Sequence, residues 1–320
     1  MTPTREARIE VSTRCNFRCR FCPHGSPAFT RPKQHMTDAR FALIVDKLHA
    51  EAPQITDLTL SGMGEVFTDP GLVAKVTHAR RRGYAVHLVT NGSLVTPAQL
   101  DELLGLEVAS IRVSLHTLDA ERFGALTGAA SGCLEAARWL VSTLWRRREA
   151  GASTRVIVTA DILPGYEDDV EPLVDTLNSR CDLLEIWRPH NWGDWGTFRD
   201  CTARLTTCGR PFNGPLQVQV DGTINVCCFD YNGKLTIGAF ISQPLADIFD
   251  RRRNPFFDVI CRAHEEPAVM AAAGLVCGRC DQRNGDHDIL YYDSGFGLGQ
   301  RVGRTSSIYE VMCSADGEQD

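Results

Sequence analysis

The sequence predicts an α/β fold: a partial (β/α)6 barrel of the TIM type, with a small C-terminal α+β module built from a β-hairpin and a helix. Three observations carry this. Short β-branched runs alternate with amphipathic segments from Ile9 to about Trp187, the pattern of parallel strands joined by crossover helices. Six such repeats are present, fewer than the eight of a closed barrel. After Asn191 the rhythm changes, and two short apolar runs flank Asp221-Gly222, a strong hairpin signal.

In chain order, the expected strands are Arg8–Ser12, Ile55–Ser61, Ala85–Thr90, Ser110–Leu115, Val156–Ile162 and Leu183–Trp187. Between the first two, Thr37 is an N-cap, and Phe41, Ile44, Val45 and Leu48 fall on one face of a helix running to Ala50. Gly71–Gly83 reads as a second helix ending at a glycine. In the module, Leu216–Val220 and Thr223–Cys227 form the hairpin. The division that follows is 1–200 for the barrel, 201–290 for the module and 291–320 for a weakly patterned tail. The functional face of such a sheet lies at the carboxyl ends of its strands.

The 320 residues carry 34 Lys+Arg against 40 Asp+Glu, a net charge of −6 with no dense basic run, which argues against a nucleic-acid partner. No stretch is long and apolar enough to span a bilayer, and the polar start lacks a secretory segment, so no membrane partner and a cytoplasmic location are expected. Thirteen cysteines do not pair evenly, and in a reducing compartment grouped cysteines point to metal or redox chemistry.

Cys15, Cys19 and Cys22 form C-x3-C-x2-C directly after the first strand. Three thiolates on one loop can wrap a soft metal site with one open position, or a zinc site completed by His24. Cys208 and Cys227 bracket the hairpin with four residues between Gly222 and the second, and Cys277 and Cys280 form a C-x2-C pair about fifty residues on. By spacing alone these four suit zinc or an iron–sulfur cluster.

The loop TRCNFRCRFCPHG, with Phe21 before its third cysteine, resembles that of the radical S-adenosylmethionine (SAM) superfamily. The resemblance implies a [4Fe–4S] cluster on Cys15, Cys19 and Cys22, whose open iron chelates SAM. It also assigns SAM contacts to Gly62-Met63-Gly64-Glu65 after the second strand, to Asn91 after the third, and to Ser114 and His116 at the end of the fourth. The C-x13-G-x4-C and C-x2-C pattern resembles the twitch domain, a shortened SPASM domain, which implies a second [4Fe–4S] cluster on Cys208, Cys227, Cys277 and Cys280. Twitch members of this size act on aminoglycosides or aminocyclitols, with a reductant such as flavodoxin or ferredoxin as protein partner.

Two chemistries follow from that likeness. An epimerase removes hydrogen from a C–H centre with a 5′-deoxyadenosyl radical and returns it from a thiol on the opposite face. Cys261, in PFFDVICRAHE, is the expected donor. The alternative is a dehydrogenase that oxidises a secondary alcohol to a ketone, with Arg188 or His190 taking the proton and the second cluster the electron. Trp187, Trp192, Asp194 and Trp195 at the sixth strand end are the substrate candidates, through aromatic faces and a carboxylate for ammonium groups. Cys228 is expected to point away from Cys227 across the strand. Modification of a ribosomal peptide and a noncatalytic zinc module are the remaining readings.

Overall fold

The computed structural model describes residues 5–193, 195–199, 205–284 and 289–293. Six parallel strands succeed one another in chain order: β1 Glu6–Ile9, β2 Asp57–Leu60, β3 Ala85–Thr90, β4 Ser110–Ser114, β5 Arg155–Asp161 and β6 Leu183–Trp187. The crossovers carry α1 Asp38–Glu51, α2 Leu72–Arg81, α3 Pro97–Gly105, α4 Ala120–Thr127, α5 Cys133–Glu149 and α6 Val170–Leu177. This is the expected (β/α)6 arrangement, with its strands within about three residues of those read from the sequence.

Local chemistry explains the element starts. Thr37 accepts a hydrogen bond from the Arg40 amide at 3.2 Å, and the face it launches buries Phe41, Ile44, Val45 and Leu48. Thr96 and Gln99 form a reciprocal capping box at α3.

Strand alternation sorts the core into two layers. Ile9, Leu58, Leu60, Val86, Leu88, Val113, Val158 and Ile186 are fully or almost fully buried in one continuous apolar cluster with the helices. The alternate positions face the barrel interior, and many of them are polar. There His87 bridges Ser110 and Asp57 at 2.8 and 3.1 Å, and Arg112 pairs with Glu185 and donates to Thr159. A polar interior leaves a site for a ligand where a closed barrel would pack side chains.

The sheet does not stop at β6. After α7 Arg210–Asn213, β7 Leu216–Val218 pairs in parallel with β1, opposite the edge that β1 shares with β2. The hairpin follows through β8 Thr223–Asn225 and β9 Thr236–Ala239, its turn closed by Gly222 at φ +88°. Beyond α8 Leu245–Ile248, α9 Pro255–Glu265 and α10 Pro267–Ala272, β10 Ile289–Asp293 returns antiparallel to β6. One ten-stranded sheet therefore runs across the expected boundary at residue 201, and β10 straddles the one at 291. Among the described residues no helix is long and apolar enough to cross a membrane.

Candidate active site

The loop after β1 is fixed by backbone contacts to the C-terminal end of α4 and to the turn after β2. Arg18 and Arg20 donate their amides to Thr127 and Leu126, and Glu65 donates its amide to the Arg14 carbonyl. A Cβ on Gly64 would lie 2.5 Å from the Ser12 and Arg14 carbonyl oxygens, so only glycine permits this approach. The Glu65 carboxylate is buried and accepts from the Thr90 hydroxyl and the Asn91 amide, both at 2.6 Å, locking the β2 end to the β3 end. Asn91 in turn donates to Asn16 on the cysteine loop at 2.9 Å.

Held this way, Cys15, Cys19 and Cys22 are half-buried free thiols whose charges act on one another. Burial pushes Cys15 up to about 11 and Cys22 up to about 12. Burial disfavours the anionic form of these thiols, and three closely spaced sulfur donors suit a soft metal such as iron. The Phe21 ring meets His116 edge-on at 4.5 Å, and burial lowers His116 to about 4. Its Nδ1 accepts from the Asp161 amide, so the neutral ring carries its proton on Nε2. Burial raises the Asp161 carboxyl to about 7, and sequence reasoning missed this group because an aspartate ending a strand has no distinguishing spacing. Ser114 ends β4 on the interior face.

A cavity of about 120 Å³ opens beside this loop, between β1, β2, β7 and the hairpin. Gly62 and Met63 line it, and Glu10 organises it. The Glu10 carboxylate pairs with Arg31 and accepts from the amides of Met63 and Val220, both at 3.0 Å. Gln217 contributes a buried side chain whose Nε2 has no hydrogen-bond partner among the described residues. A buried amide without a partner marks a position for a ligand acceptor. Neither Glu10 nor Gln217 has a sequence signal, because both are ordinary interior positions of strands or their ends.

Of the aromatic candidates, Trp192 lines this cavity, with its indole N–H 2.9 Å from the Phe21 carbonyl and its backbone at φ +52°. Trp195 packs with it against Phe29, Met63 and Tyr231, while Trp187 lies on the interior face of β6, 5.6 Å from the His190 ring. Asp194 falls outside the described residues.

Arg188 and His190 are engaged elsewhere. Arg188 is buried, ion-paired with Glu167 at 3.0 Å and bonded to the Ile162 carbonyl. His190 meets Gln282 at 2.8 Å, packs on Phe229, and is lowered to about 4, chiefly by burial. Neither is among the residues lining the cavity.

Of the cysteine expectations, the one for Cys228 is corrected, and Cys261 is placed as follows. Cys261 sits 2% exposed in the apolar cluster, because the inner face of α9 also carries Phe257, Ile260 and His264, and it does not line the cavity. Cys228 does line it, together with Cys227. Strand β8 ends at Asn225, so the alternation that would separate the two thiols has lapsed and their sulfurs are hydrogen-bonded neighbours.

Cys208, Cys227, Cys277 and Cys280 line a second, apolar cavity with Arg210 and His264. Three separate segments bring these thiols together, and Cys227 borders both cavities. A set of four free thiols suits a zinc ion or an iron–sulfur cluster by donor type. Among the described residues, no three His, Cys, Asp or Glu groups converge closely enough to hold a single ion.

A sequence profile of the radical SAM superfamily matches residues 9–178. The chain is 30% identical over 117 residues to a tungsten-containing aldehyde ferredoxin oxidoreductase cofactor-modifying protein of Pyrococcus furiosus, covering 34% of this chain and 30% of that one. It is 28% identical over 163 residues to dTDP-4-amino-4,6-dideoxy-D-glucose ammonia-lyase of Streptomyces venezuelae, covering 50% and 33%. The matches thus span about a third of these relatives. Among solved structures, BtrN in complex with AdoMet and 2-DOIA superposes with a TM-score of 0.57 at 17% identity, over 87% of this chain and 93% of that one. SuiB of Streptococcus suis bound to precursor peptide SuiA gives 0.61 at 12%, over 90% and 72%. At these identities the likeness is one of fold.

Proposed function

Because the chain belongs to the radical SAM superfamily, we propose that it is an epimerase inverting a C–H centre of an aminoglycoside or related amino sugar. The observation that carries the reading is Cys228, a thiol outside the four-cysteine cavity that faces the main one. Around it stand the Gln217 amide, Glu10, Arg31, Asn225 and Asp230, with the Trp192 ring, a lining suited to a small molecule rich in hydroxyl and amino groups.

In this reading Cys15, Cys19 and Cys22 hold a [4Fe–4S] cluster, with Phe21, Gly62, Met63, Gly64, Glu65, Asn91, Ser114 and His116 around SAM. When bound, that pair supplies a carbon radical that removes one hydrogen atom from a substrate C–H. Cys228 then returns a hydrogen atom to the opposite face: its S–H bond breaks, the new C–H bond forms, and the thiyl left behind requires one electron and one proton. Cys208, Cys227, Cys277 and Cys280, in a module spanning residues 201–290, would hold a second cluster, which would be the source of that electron. A flavodoxin or ferredoxin replenishes it. Cys227, bordering both cavities, gives the shortest covalent route between Cys228 and that cluster.

The test is turnover of a panel of aminoglycosides and aminocyclitols in deuterium oxide, followed by mass analysis. An isomeric product carrying one deuterium is expected. Cys228→Ala should abolish it while SAM cleavage persists, and Cys261→Ala should leave it intact. A product two hydrogens lighter than substrate, as a dehydrogenase would give, or unchanged epimer formation by Cys228→Ala, overturns the proposal.

A further inference from the structure

Besides its thiols, the four-cysteine cavity is lined by apolar side chains and by the polar groups of Arg210, His264, Gln282 and Arg283. Arg210, the first residue of α7, is half-buried with its guanidinium 4.7 Å from the centre of the Phe229 ring, and no carboxylate pairs with it among the described residues. The charged groups acting on it are thiols, those of Cys228, Cys227, Cys208 and Cys280. His264, on the inner face of α9, is 2% exposed. Its Nδ1 lies 3.0 Å from the Thr207 hydroxyl, which already accepts the Gly209 amide at 2.9 Å. With Thr207 donating to Nδ1, the ring proton resides on Nε2, and that buried nitrogen has no partner among the described residues.

We propose that Arg210 and His264 are positioning residues that raise the reduction potential of the group held by Cys208, Cys227, Cys277 and Cys280. Arg210 acts through its charge, and His264 through an Nε2–H donated to a sulfur. The inference rests on the reading that these four thiols hold an iron–sulfur cluster. Reduction adds one negative charge to such a cluster, and a fixed cation and a hydrogen-bond donor both stabilise the reduced state over the oxidised one. The donor need is also visible from the protein's side. An imidazole N–H buried without an acceptor costs about 1–3 kcal/mol, a cost that cluster sulfur removes. The functional effect is a cluster more readily refilled by a flavodoxin-class donor after giving its electron to the Cys228 thiyl.

The experiment is a redox titration followed by electron paramagnetic resonance on the full chain carrying Cys15→Ala, Cys19→Ala and Cys22→Ala, so that only the second site contributes. Arg210→Gln and His264→Ala are each expected to lower the midpoint potential, and together to lower it further. Arg210→Lys, which keeps the charge, should remain close to the parent and guards against a folding defect. Midpoints that coincide in all variants overturn the inference while leaving the cluster reading intact. A parent chain that reconstitutes with zinc, or without the about four irons of one cluster, overturns both.

Discussion

Replacing Glu10 by glutamine probes the contact that joins β1 to both of its neighbours. The carboxylate meets only donors: the Arg31 guanidinium and the amides of Met63 and Val220, each at 3.0 Å. Both side chains of the ion pair are buried, at 7% exposure for Glu10 and 11% for Arg31. Glutamine keeps one acceptor oxygen and turns an NH2 toward a second donor, so at least one buried N–H loses its acceptor, a cost of about 1–3 kcal/mol. Arg31 also loses its counter-charge. Breaking one side of a buried pair costs about 3–5 kcal/mol in all, a large share of the ~5–15 kcal/mol that holds a typical native state. Urea unfolding followed by circular dichroism should show that loss as a lower midpoint. The double variant Glu10→Met with Arg31→Met should lose less than Glu10→Gln, since no charge is then stranded. A change below ~1 kcal/mol for Glu10→Gln refutes the reasoning, because the carboxylate would then be solvated rather than shared by three segments.

Two more outcomes follow from the same balance of charge and burial. Lys75 is 1% exposed at its side chain between Asp69 at 2.8 Å and Asp38 at 2.5 Å. Lys75→Met strands the buried Asp69 carboxylate and should destabilise the chain by about 3–5 kcal/mol in urea unfolding, whereas Asp38→Asn, on the exposed side of the pair, should cost about 1 kcal/mol or less. Acid should weaken the fold, because burial holds His116 and His190 neutral down to about 4, while the unfolded chain protonates them near the ordinary value of 6.5. The unfolded state binds more protons in that interval, so stability falls as pH drops from about 6.5 toward 4. Urea midpoints at pH 7.5 and 5.0 measure the fall, and a chain carrying His116→Gln and His190→Gln should show a shallower one.

Much of the barrel was legible because its signals are local. The α1 face of Phe41, Ile44, Val45 and Leu48 follows from a period of 3.6, and the Thr37 cap from its hydroxyl. The cysteine loop and Gly64 were legible for a similar reason: a tight chemical requirement on neighbouring residues leaves a motif. The surroundings of Cys261 were not legible, because its helix reads the same whether the inner face packs on a core or on a ligand. Cys228 was misjudged by the length of one strand, since an end at Asn225 removes the alternation that a longer β8 would impose.

The sequence by itself determined the α/β class, the six strands, the two cysteine sets and the strand ends that receive them. All of these depend on periodicity or on spacing within one segment. Only the tertiary structure decided which interior side chains share a cavity: Glu10 with Arg31, Gln217 with its unpaired amide, and Cys228 beside Cys227. It also decided that β7 joins β1, setting the four-cysteine cavity against the main one. Such proximities depend on which strand edges pair and which buried polar groups find partners. Those are long-range outcomes of packing, and no local pattern of residues encodes them.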